Sequence, residues 1–263
     1  IYILQNKEKK YLIDIRDYSN EKNLVIKKLE DIIFNYANLI SISSEGYKCF
    51  LPKKYQYKIV HNLQNEDMML SKQDFLSKKD TVPIKIGYIG NMKLYANYLC
   101  KVANLFKNDS RFRLVFIGIG SEKIANYCKL NGINNIYTSG EYMPNETNEL
   151  YKKIDVVNNM YGNNDNLLDY AISNKFYLAV QFALPILACP NTYTSEMIKK
   201  YNLGFTLDIN NVNAVDDFYD WYQELDKKSY YDRCEMFNSK VVEENKNFIK
   251  NLNLFFYKEE KKW

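Results

Sequence analysis

Residues 84–93, IKIGYIGNMK, decide the fold of this chain of 263 residues. Ile84–Ile89 is apolar along almost its whole length, a pattern typical of a strand that is buried on both faces of a sheet. Gly90 follows as a turn residue, and Leu94–Phe106 has the apolar spacing of a helix. A buried strand followed at once by a helix predicts a βαβ unit in a parallel sheet.

The same alternation continues along the chain. Further strands are predicted over Leu114–Ile117, Asn135–Thr138, Ile154–Asn158, Pro185–Ala188 and Gly204–Leu207. Helices are predicted over Glu122–Leu130, Asn145–Lys152, Asn174–Phe182 and Ser195–Tyr201. Strands joined by helices need right-handed crossovers, so this part predicts a doubly wound, Rossmann-like α/β domain. Such sheets bind ligands outside the carboxyl ends of their strands.

The first 80 residues show the alternation in a shorter form. The predicted strands are Tyr11–Ile15, Leu39–Ser43 and Tyr57–Val60, with a helix over Glu21–Ala37 and a helical turn over Gly46–Leu51. Three strands make about half of a doubly wound domain and leave an edge that needs a partner. Because the chain also opens at Ile1 rather than Met, we expect residues 1–80 to be the C-terminal half of a first domain with its linker.

Changes in composition divide the rest of the chain. The polar, lysine-bearing stretch Ser71–Thr81 has the composition of a linker, so a second domain is predicted over residues 81–211. Residues 212–263 are predicted to be helical, and we expect these helices to dock back on the body of the protein. The two helices are predicted over Ala214–Lys227 and Tyr230–Phe248. The aromatic residues expected to dock at the end are Phe255, Phe256, Tyr257 and Trp263.

Composition and charge exclude several classes of protein. An apolar fraction of 46% and a charged fraction of 26% exclude disordered and fibrous proteins. A net charge of +4 is too weak for a dedicated nucleic-acid-binding protein, so no nucleic-acid partner is expected. No apolar run approaches the ~18 residues that cross a bilayer. The five widely spaced cysteines indicate reduced thiols in a cytoplasmic protein rather than a metal or redox site.

A basic aromatic stretch and a single histidine each have two interpretations. Tyr47–Lys58, YKCFLPKKYQYK, is the one aromatic and basic stretch. It is consistent with peripheral contact to an anionic membrane surface and with a solvated domain edge. His61 is the only histidine, and its position beside the predicted linker favours a structural or interdomain role over that of a general base.

Two strand-to-helix junctions on the predicted ligand edge are rich in glycine. At Gly87–Lys93 the backbone can approach a ligand, and Asn91 and Lys93 stand where a helix N-terminus favours a phosphate. The spacing is not that of a dinucleotide fingerprint, and a tight turn with an exposed lysine is the alternative. At Gly118–Ser121 a plain turn with Ser121 as the helix N-cap explains the residues.

Two further junctions carry polar and aromatic residues. In Ser139–Pro144, backbone groups near Gly140 are placed to read a nucleotide base and Tyr142 to pack on it, unless the segment is a plain loop held by its Gly and Pro. In Ile172–Tyr177, Ser173 or Asn174 caps a helix whose first amides then point toward an anion. Lys175 in that first turn is unfavourable to a bare helix, and a bound diphosphate would remove the penalty.

Together these segments resemble the nucleotide-binding domain of GT-B glycosyltransferases, in particular retaining, family 4-like enzymes of bacterial capsule and exopolysaccharide synthesis. The most specific element is Asn174-Lys175-x-Tyr177 followed by Leu184-Pro185-Ile186. The stretches that carry the resemblance are IKIGYIGNMK, LVFIGIGS, NIYTSGEYMP, LYKKIDVVNNMY, SNKFYLAVQFALPILA and YNLGFTLDI, with IDIRDYS, SISS and IVHN upstream.

The resemblance implies a cytoplasmic hexosyltransferase, in some cases bound peripherally to the inner face of the plasma membrane. Its donor would be a UDP- or GDP-sugar and its acceptor a glycan or a lipid-linked glycan, with retention and with no cofactor or metal. No catalytic residue is assigned. The residues implied for the donor diphosphate are Asn91, Lys93, Asn174 and Lys175. Those implied near the base and ribose are Gly140, Tyr142 and Tyr177, and Asp169 is implied near the donor sugar.

One departure from the family pattern keeps alternatives open. Members usually carry two glutamates separated by seven residues, the second of which contacts the donor ribose. Those positions hold Tyr170, beside Asp169, and Leu178 in this chain. A catalytically inactive, glycosyltransferase-like subunit that binds a partner glycosyltransferase is therefore the alternative function. A sugar-nucleotide epimerase shares the two-domain architecture and is a third, although it would need acid and base residues in the cleft.

Overall fold

The computed structural model describes residues 2–17, 23–63, 68–78 and 82–257, which form two parallel sheets with helices packed against them. The smaller sheet has the order β1 (Leu12–Ile15), β2 (Leu39–Ile42) and β3 (Lys58–Ile59). Helices α1 (Tyr2–Gln5) and α2 (Leu24–Asn35) and a 3-10 turn, Glu45–Cys49, belong to the same part of the chain. Its core is formed by Phe34, Ile40, Ile42, Tyr47 and Leu51.

The larger sheet has six parallel strands. They are β4 (Ile84–Ile89), β5 (Phe112–Ile117), β6 (Ile136–Ser139), β7 (Val156–Asn158), β8 (Ile186–Ala188) and β9 (Gly204–Thr206). Their order in space is β6-β5-β4-β7-β8-β9, so the direction of winding reverses between β4 and β7. This arrangement confirms the predicted α/β, Rossmann-like fold class. The reversal is the point at which such sheets bind ligands.

Helices cover both faces of the larger sheet. The helices in this part of the chain are α3 (Lys72–Ser77), α4 (Ala96–Leu105), α5 (Ser121–Leu130), α6 (Thr147–Lys152), α7 (Asn166–Tyr170), α8 (Asn174–Gln181), α9 (Tyr193–Tyr201), α10 (Ala214–Gln223) and α11 (Lys227–Tyr257), with a 3-10 turn at Pro144–Glu146. Gly87 in β4 shows how tightly one face is packed, because a Cβ there would lie 2.6 Å from the side chain of Ile154. The apolar strands are therefore buried on both sides, as their composition predicts.

Two short helices differ from the sequence prediction. The predicted linker Ser71–Thr81 contains α3, whose N-cap hydroxyl on Ser71 accepts the amide of Asp74 at 3.1 Å. Phe75 of α3 is buried and packs on Tyr231 with ring centroids 5.6 Å apart. Helix α7 lies where no element was predicted. Both helices are too short to show a period in the sequence, so tertiary contacts and local caps stabilise them.

A helix cap and a helix length also differ from prediction. Gly120, with φ of +91°, occupies the N-cap position of α5, so the prediction that Ser121 is the cap is wrong by one residue. The Ser121 hydroxyl instead donates to the carbonyl of Ser139 at 2.7 Å. The C-terminal helix runs to Tyr257 rather than Phe248.

Helix α11 spans 31 residues and connects several parts of the molecule. The hydroxyl of Tyr230 donates to the carbonyl of Leu203 at 2.9 Å, and that of Tyr231 donates to the carbonyl of Leu70 at 2.8 Å. Near its end, Lys10 donates to the carbonyl of Phe255 at 3.1 Å, whereas Trp263 and the side chain of Tyr257 lie outside the described residues.

None of the helices that the structure describes is both long enough and apolar enough to cross a membrane.

Candidate functional site

A cleft of about 340 Å³ opens at the carboxyl ends of β4 and β7, where the winding of the larger sheet reverses. This volume lies within the usual range for small-molecule sites, roughly 300–1,000 Å³. The wall from the smaller sheet includes Arg16, Asp17, Tyr47 and Asn62. The opposite wall includes Tyr88, Asn91, Tyr95, Tyr161, Ser173, Asn174 and Lys175. The cleft therefore lies between the two sheets, where a ligand can contact both parts of the chain.

The N-terminus of α8 opens into this cleft. Ser173 occupies the N-cap position, but its hydroxyl donates to Oδ1 of buried Asn159 at 2.6 Å and does not cap the helix. No side chain in the described ranges accepts the first amides of α8, and the helix dipole adds a partial positive charge at the same place. Such a helix start is a site for an anion.

Lys175 brings a full positive charge to this helix start. Its Nζ donates to the hydroxyl of Tyr161 at 3.1 Å and lies 4.3 Å from the ring centroid of Tyr88 and 5.1 Å from that of Tyr161. The two rings stabilise the cation through its attraction to their π faces. Throughout the described ranges, no carboxylate lies within ion-pair distance of this ammonium group. The helix dipole and Lys175 together leave a positive charge in the cleft that an anionic ligand can neutralise.

The turn after β4 leaves room for this ammonium group. Gly90 has φ of +136°, and a Cβ on it would lie 3.2 Å from Nζ of Lys175. The hydroxyl of Tyr88 donates to the carbonyl of Asn91 at 3.1 Å, and Oδ1 of Asn91 accepts the amide of Lys93 at 3.0 Å. The turn is thus held in one conformation. It places Asn91 in the cleft wall, whereas the exposed Lys93 lies beside the turn and outside the wall.

The second glycine junction, Gly118–Ser121, packs against this turn. A Cβ on Gly118 would lie 2.1 Å from the carbonyl oxygen of Gly90, closer than any side chain allows. The glycine at 118 therefore lets the ends of β4 and β5 approach each other. Its role in the structure is close backbone packing next to the cleft.

The residues implied near the base and ribose lie outside the cleft wall. Gly140 is exposed with open space around it, and Tyr142 is half-buried against the core beside Thr147. Tyr177 is buried, and its hydroxyl lies 2.8 Å from Nδ1 of His61. Burial raises the pKa of Tyr177 far above its ordinary value. Among these three residues, Gly140 is exposed, Tyr142 is half-buried and Tyr177 is buried.

Asp169, implied near the donor sugar, lies on α7. Its side chain is half-buried, and Oδ1 has no hydrogen-bond partner among the residues that the structure describes. Burial raises the pKa of this carboxyl group above its ordinary value. The neighbouring residues Leu167 and Leu168 line the cleft, so the α7 segment forms part of its rim.

The two positions where the family that the sequence resembles usually carries glutamate, residues 170 and 178, are packing positions in this structure. Leu178 is 4% exposed and lies in the apolar core under α8. The ring of Tyr170 packs against Phe50 at 5.7 Å, and its carbonyl accepts the hydroxyl of Ser44. Tyr170 thus connects α7 to the smaller sheet. Neither side chain can accept a hydrogen bond from a ribose hydroxyl in the way that a carboxylate does.

Sequence reasoning missed the polar wall that the smaller sheet contributes. Two nitrogens of the Arg16 guanidinium group donate, Nε to Asp14 at 2.6 Å and Nη1 to Asn62 at 2.7 Å, so the side chain is held across the ends of β1 and β3. Asp17 follows directly in the cleft wall. These residues come just after strands, and the carboxyl-edge rule for parallel sheets would have found them had it been applied to residues 1–80.

Metal-ligating residues do not cluster in the described ranges: no group of three or more His, Cys, Asp or Glu side chains is placed to hold a metal ion.

Comparison with known proteins identifies the fold. No family model matches the sequence, and no curated protein matches it. Among solved structures, HepE of Anabaena in complex with UDP and glucose aligns with a TM-score of 0.69 at 13% identity, over 94% of this chain and 72% of that chain. A glycosyltransferase from Rickettsia africae aligns with a TM-score of 0.70 at 16% identity, over 99% of this chain and 74% of that chain. TarM aligns with a TM-score of 0.63 at 16% identity, over 94% of this chain and 50% of that chain.

These neighbours are GT-B glycosyltransferases, so the chain has the fold of that class of protein. The likeness confirms the GT-B-like architecture that the sequence motifs predict. At this level of identity it concerns the fold, and the function rests on the site.

Proposed function

We propose that this protein is a GT-B glycosyltransferase that moves a hexosyl group from a UDP- or GDP-sugar to a glycan or lipid-linked acceptor. The observation that carries the proposal is Lys175, a cation at the start of α8 that has no carboxylate partner among the residues that the structure describes. A diphosphate supplies the negative charge that this part of the cleft lacks. HepE was solved with UDP and with UDP-glucose, which makes the uracil nucleotide the first ligand to test.

In the proposed reaction, the bond between the anomeric carbon and the diphosphate oxygen breaks, and its electron pair leaves with the diphosphate. An acceptor hydroxyl oxygen bonds to the same carbon, and its proton passes to the departing diphosphate. Lys175, Asn174 and the first amides of α8 bind that leaving group and stabilise its growing charge. Asn91 assists from the turn after β4, with Lys93 at the rim of the same turn. Because these groups are already oriented before the donor binds, they need little rearrangement during the reaction.

The other parts of the donor and the acceptor have their own regions in this proposal. The base and ribose lie toward Gly140 and Tyr142, and the hexosyl group lies toward the α7 segment that carries Asp169. The acceptor approaches from the wall formed by Arg16 and Asn62. Retention at the anomeric carbon, action without a metal and a role in surface polysaccharide synthesis at the cytoplasmic face of the membrane belong to the same proposal.

Calorimetric titration of UDP and GDP tests the proposal. We expect Lys175→Ala to lower nucleotide affinity at least about tenfold, because a hydrogen bond to a charged group contributes about 1.5–3 kcal/mol. Lys129→Ala removes an exposed lysine at the far end of α5 and is the matched control. We expect it to bind like the wild type. Unchanged affinity of Lys175→Ala for UDP and GDP would contradict the assignment of the α8 N-terminus to the diphosphate.

A second candidate function is a catalytically inactive, glycosyltransferase-like subunit that binds a partner enzyme. Buried Leu178 favours it, because the donor ribose then lacks a carboxylate at that position. Incubation with UDP-glucose separates the two candidates. Release of UDP, by transfer or by slow hydrolysis, supports the transferase, whereas binding without any turnover in the presence of varied glycan acceptors supports the inactive subunit.

A further inference from the structure

His61 connects the smaller sheet to two helices, α8 and α11. It follows β3, and its amide donates to Oδ1 of Asn245 at 2.8 Å while Nδ2 of Asn245 donates back to its carbonyl at 3.1 Å. The ring lies between α8 and α11, with Nδ1 at 2.8 Å from the hydroxyl of Tyr177 and Nε2 at 2.7 Å from Oε2 of Glu244. The His61 side chain is only 10% exposed, so these partners replace water around it.

The chemistry of the three groups determines where the protons lie. The ionised carboxylate of Glu244 can only accept, so Nε2 of His61 carries a proton and donates it. In a neutral ring Nδ1 then has a free lone pair, which accepts the hydroxyl of Tyr177. Every donor and acceptor is satisfied in this arrangement with the ring uncharged. A proton added to Nδ1 would make it a donor, and the buried hydroxyl of Tyr177 would lose its acceptor.

Tyr177 lies two residues beyond Lys175 in α8, and the two side chains therefore leave the helix on nearly opposite sides. One side of the first turn faces the cleft through Lys175, and the other side is held by His61 through Tyr177. A change at His61 is thus transmitted to the helix start that we assign to the diphosphate.

We propose that neutral His61 is a positioning residue for the diphosphate site, and that its protonation weakens nucleotide-sugar binding by releasing the first turn of α8. This inference rests on the proposed function. His61 does not contact the ligand in this account, and it acts only through Tyr177. The class of ligand affected is a nucleotide diphosphate sugar.

Charged and titratable side chains from three helices and a 3-10 turn surround His61. Glu244 and Lys240 face it from α11, Tyr177 from α8, and Glu45 from the 3-10 turn, while Tyr193, Lys200 and Tyr201 of α9 line the same small cavity. The pKa of Glu45 is lowered by its hydrogen bond to Lys48, and that of Lys240 is raised by its hydrogen bond to Tyr201, so both stay charged near neutral pH. Burial lowers the pKa of His61 below its ordinary value, with Glu244 opposing part of that shift.

The test measures UDP-glucose binding by calorimetry at about pH 8 and about pH 5, on either side of the ordinary histidine pKa of about 6.5. UDP-glucose is the probe because, unlike UDP, it has no terminal phosphate that titrates at about pH 6. We expect the wild type to lose affinity about fivefold or more at the lower pH, the lower end of typical coupling between sites. His61→Gln keeps an acceptor and a donor on one planar group, so we expect it to bind with little dependence on pH.

Two further variants separate positioning from general destabilisation. Tyr177→Phe keeps the ring in the core and removes only the hydroxyl, and we expect weaker binding at about pH 8 with little further loss at about pH 5. His61→Ala is expected to bind UDP-glucose weakly at both pH values. Higher affinity in His61→Gln than in His61→Ala would show that the hydrogen bonds of the side chain at position 61 support binding. If all four proteins lose the same affinity between the two pH values, or if the wild type loses none, the role of His61 is overturned.

The outcomes also distinguish this inference from the proposed function. A wild type that binds neither UDP-glucose nor a GDP-sugar at about pH 8, where His61 is neutral, overturns the proposed function and the positioning role with it. Binding at that pH that is lost in Lys175→Ala, yet is unaffected by pH or by Tyr177→Phe, leaves the proposed function standing and overturns only the positioning role.

Discussion

Replacement of Gly90 by alanine tests whether the turn after β4 sets the position of Lys175. The φ of Gly90 is +136°, which L side chains rarely adopt, and strain of this kind costs about 1–3 kcal/mol. The new Cβ would also lie 3.2 Å from Nζ and 3.3 Å from Cε of Lys175. The flexible end of the lysine can move by a few tenths of an ångström, so the ammonium group shifts away from its place over Tyr88 and Tyr161.

The two effects of Gly90→Ala have different expected sizes. A complete loss of a charged hydrogen bond costs about 1.5–3 kcal/mol, and a displaced ammonium group should lose about half of that, or a factor of roughly 3 to 12 in affinity. UDP affinity in calorimetry should therefore lie between those of the wild type and Lys175→Ala. The strain should lower the melting temperature by about 2–4 °C for each kcal/mol.

Gly132→Ala is the matched control for Gly90→Ala. Gly132 also has positive φ, +62°, but a Cβ there meets nothing within 4 Å. This variant should lose about 1–2 kcal/mol of stability and no UDP affinity. The reasoning fails if Gly90→Ala folds and binds UDP as tightly as the wild type. It also fails if Gly132→Ala loses as much affinity as Gly90→Ala, since the cause would then be general destabilisation.

Two further predictions concern stability. Phe218 is fully buried and packs on Phe112, Phe205 and other rings. Phe218→Ala should therefore lower the free energy of unfolding, measured by urea denaturation, by about 3–5 kcal/mol. The control Phe256→Ala, at an exposed ring, should lower it by less than about 0.5 kcal/mol. The pKa of His61 is lower in the folded chain than in the unfolded chain, so the unfolded chain takes up the proton more readily. The free energy of unfolding should therefore be highest above about pH 6.5 and should fall as the pH drops toward the pKa of the folded state. A His61→Gln variant with the same loss of melting temperature between about pH 7 and about pH 5 would contradict this second prediction.

The long elements of the larger sheet are the part of the fold that sequence reasoning predicts best. Ile84–Ile89 is found with the predicted bounds, because a strand buried on both faces must be apolar throughout. Helix α4 begins two residues later than the predicted Leu94, within the usual uncertainty of helix ends. Helices α3 and α7 were missed because short helices depend on contacts such as that between Phe75 and Tyr231, which local sequence does not reveal.

The candidate site was predicted in part. Asn91, Asn174 and Lys175 lie in one cleft, as expected from junctions at the carboxyl ends of parallel strands. Tyr88 and Tyr161 contact the ammonium group of Lys175, and they were not predicted to be site residues. Aromatic residues in or next to buried strands are usually part of the hydrophobic core, so their sequence pattern gives no sign of a site.

By itself, the sequence determined the order of strands and helices, the parallel sheets and the strand-to-helix junctions that form the candidate site, because these follow from local periodicity and from turn residues. The tertiary structure decided which side of α8 faces the cleft and that, within the described part of the chain, Lys175 has no carboxylate beside it. It also joined His61 to Tyr177 and Glu244, which lie 116 and 183 residues away along the chain. Charge and hydrogen bonding depend on distances in space, and residues so far apart in sequence become neighbours only when the two sheets have packed together.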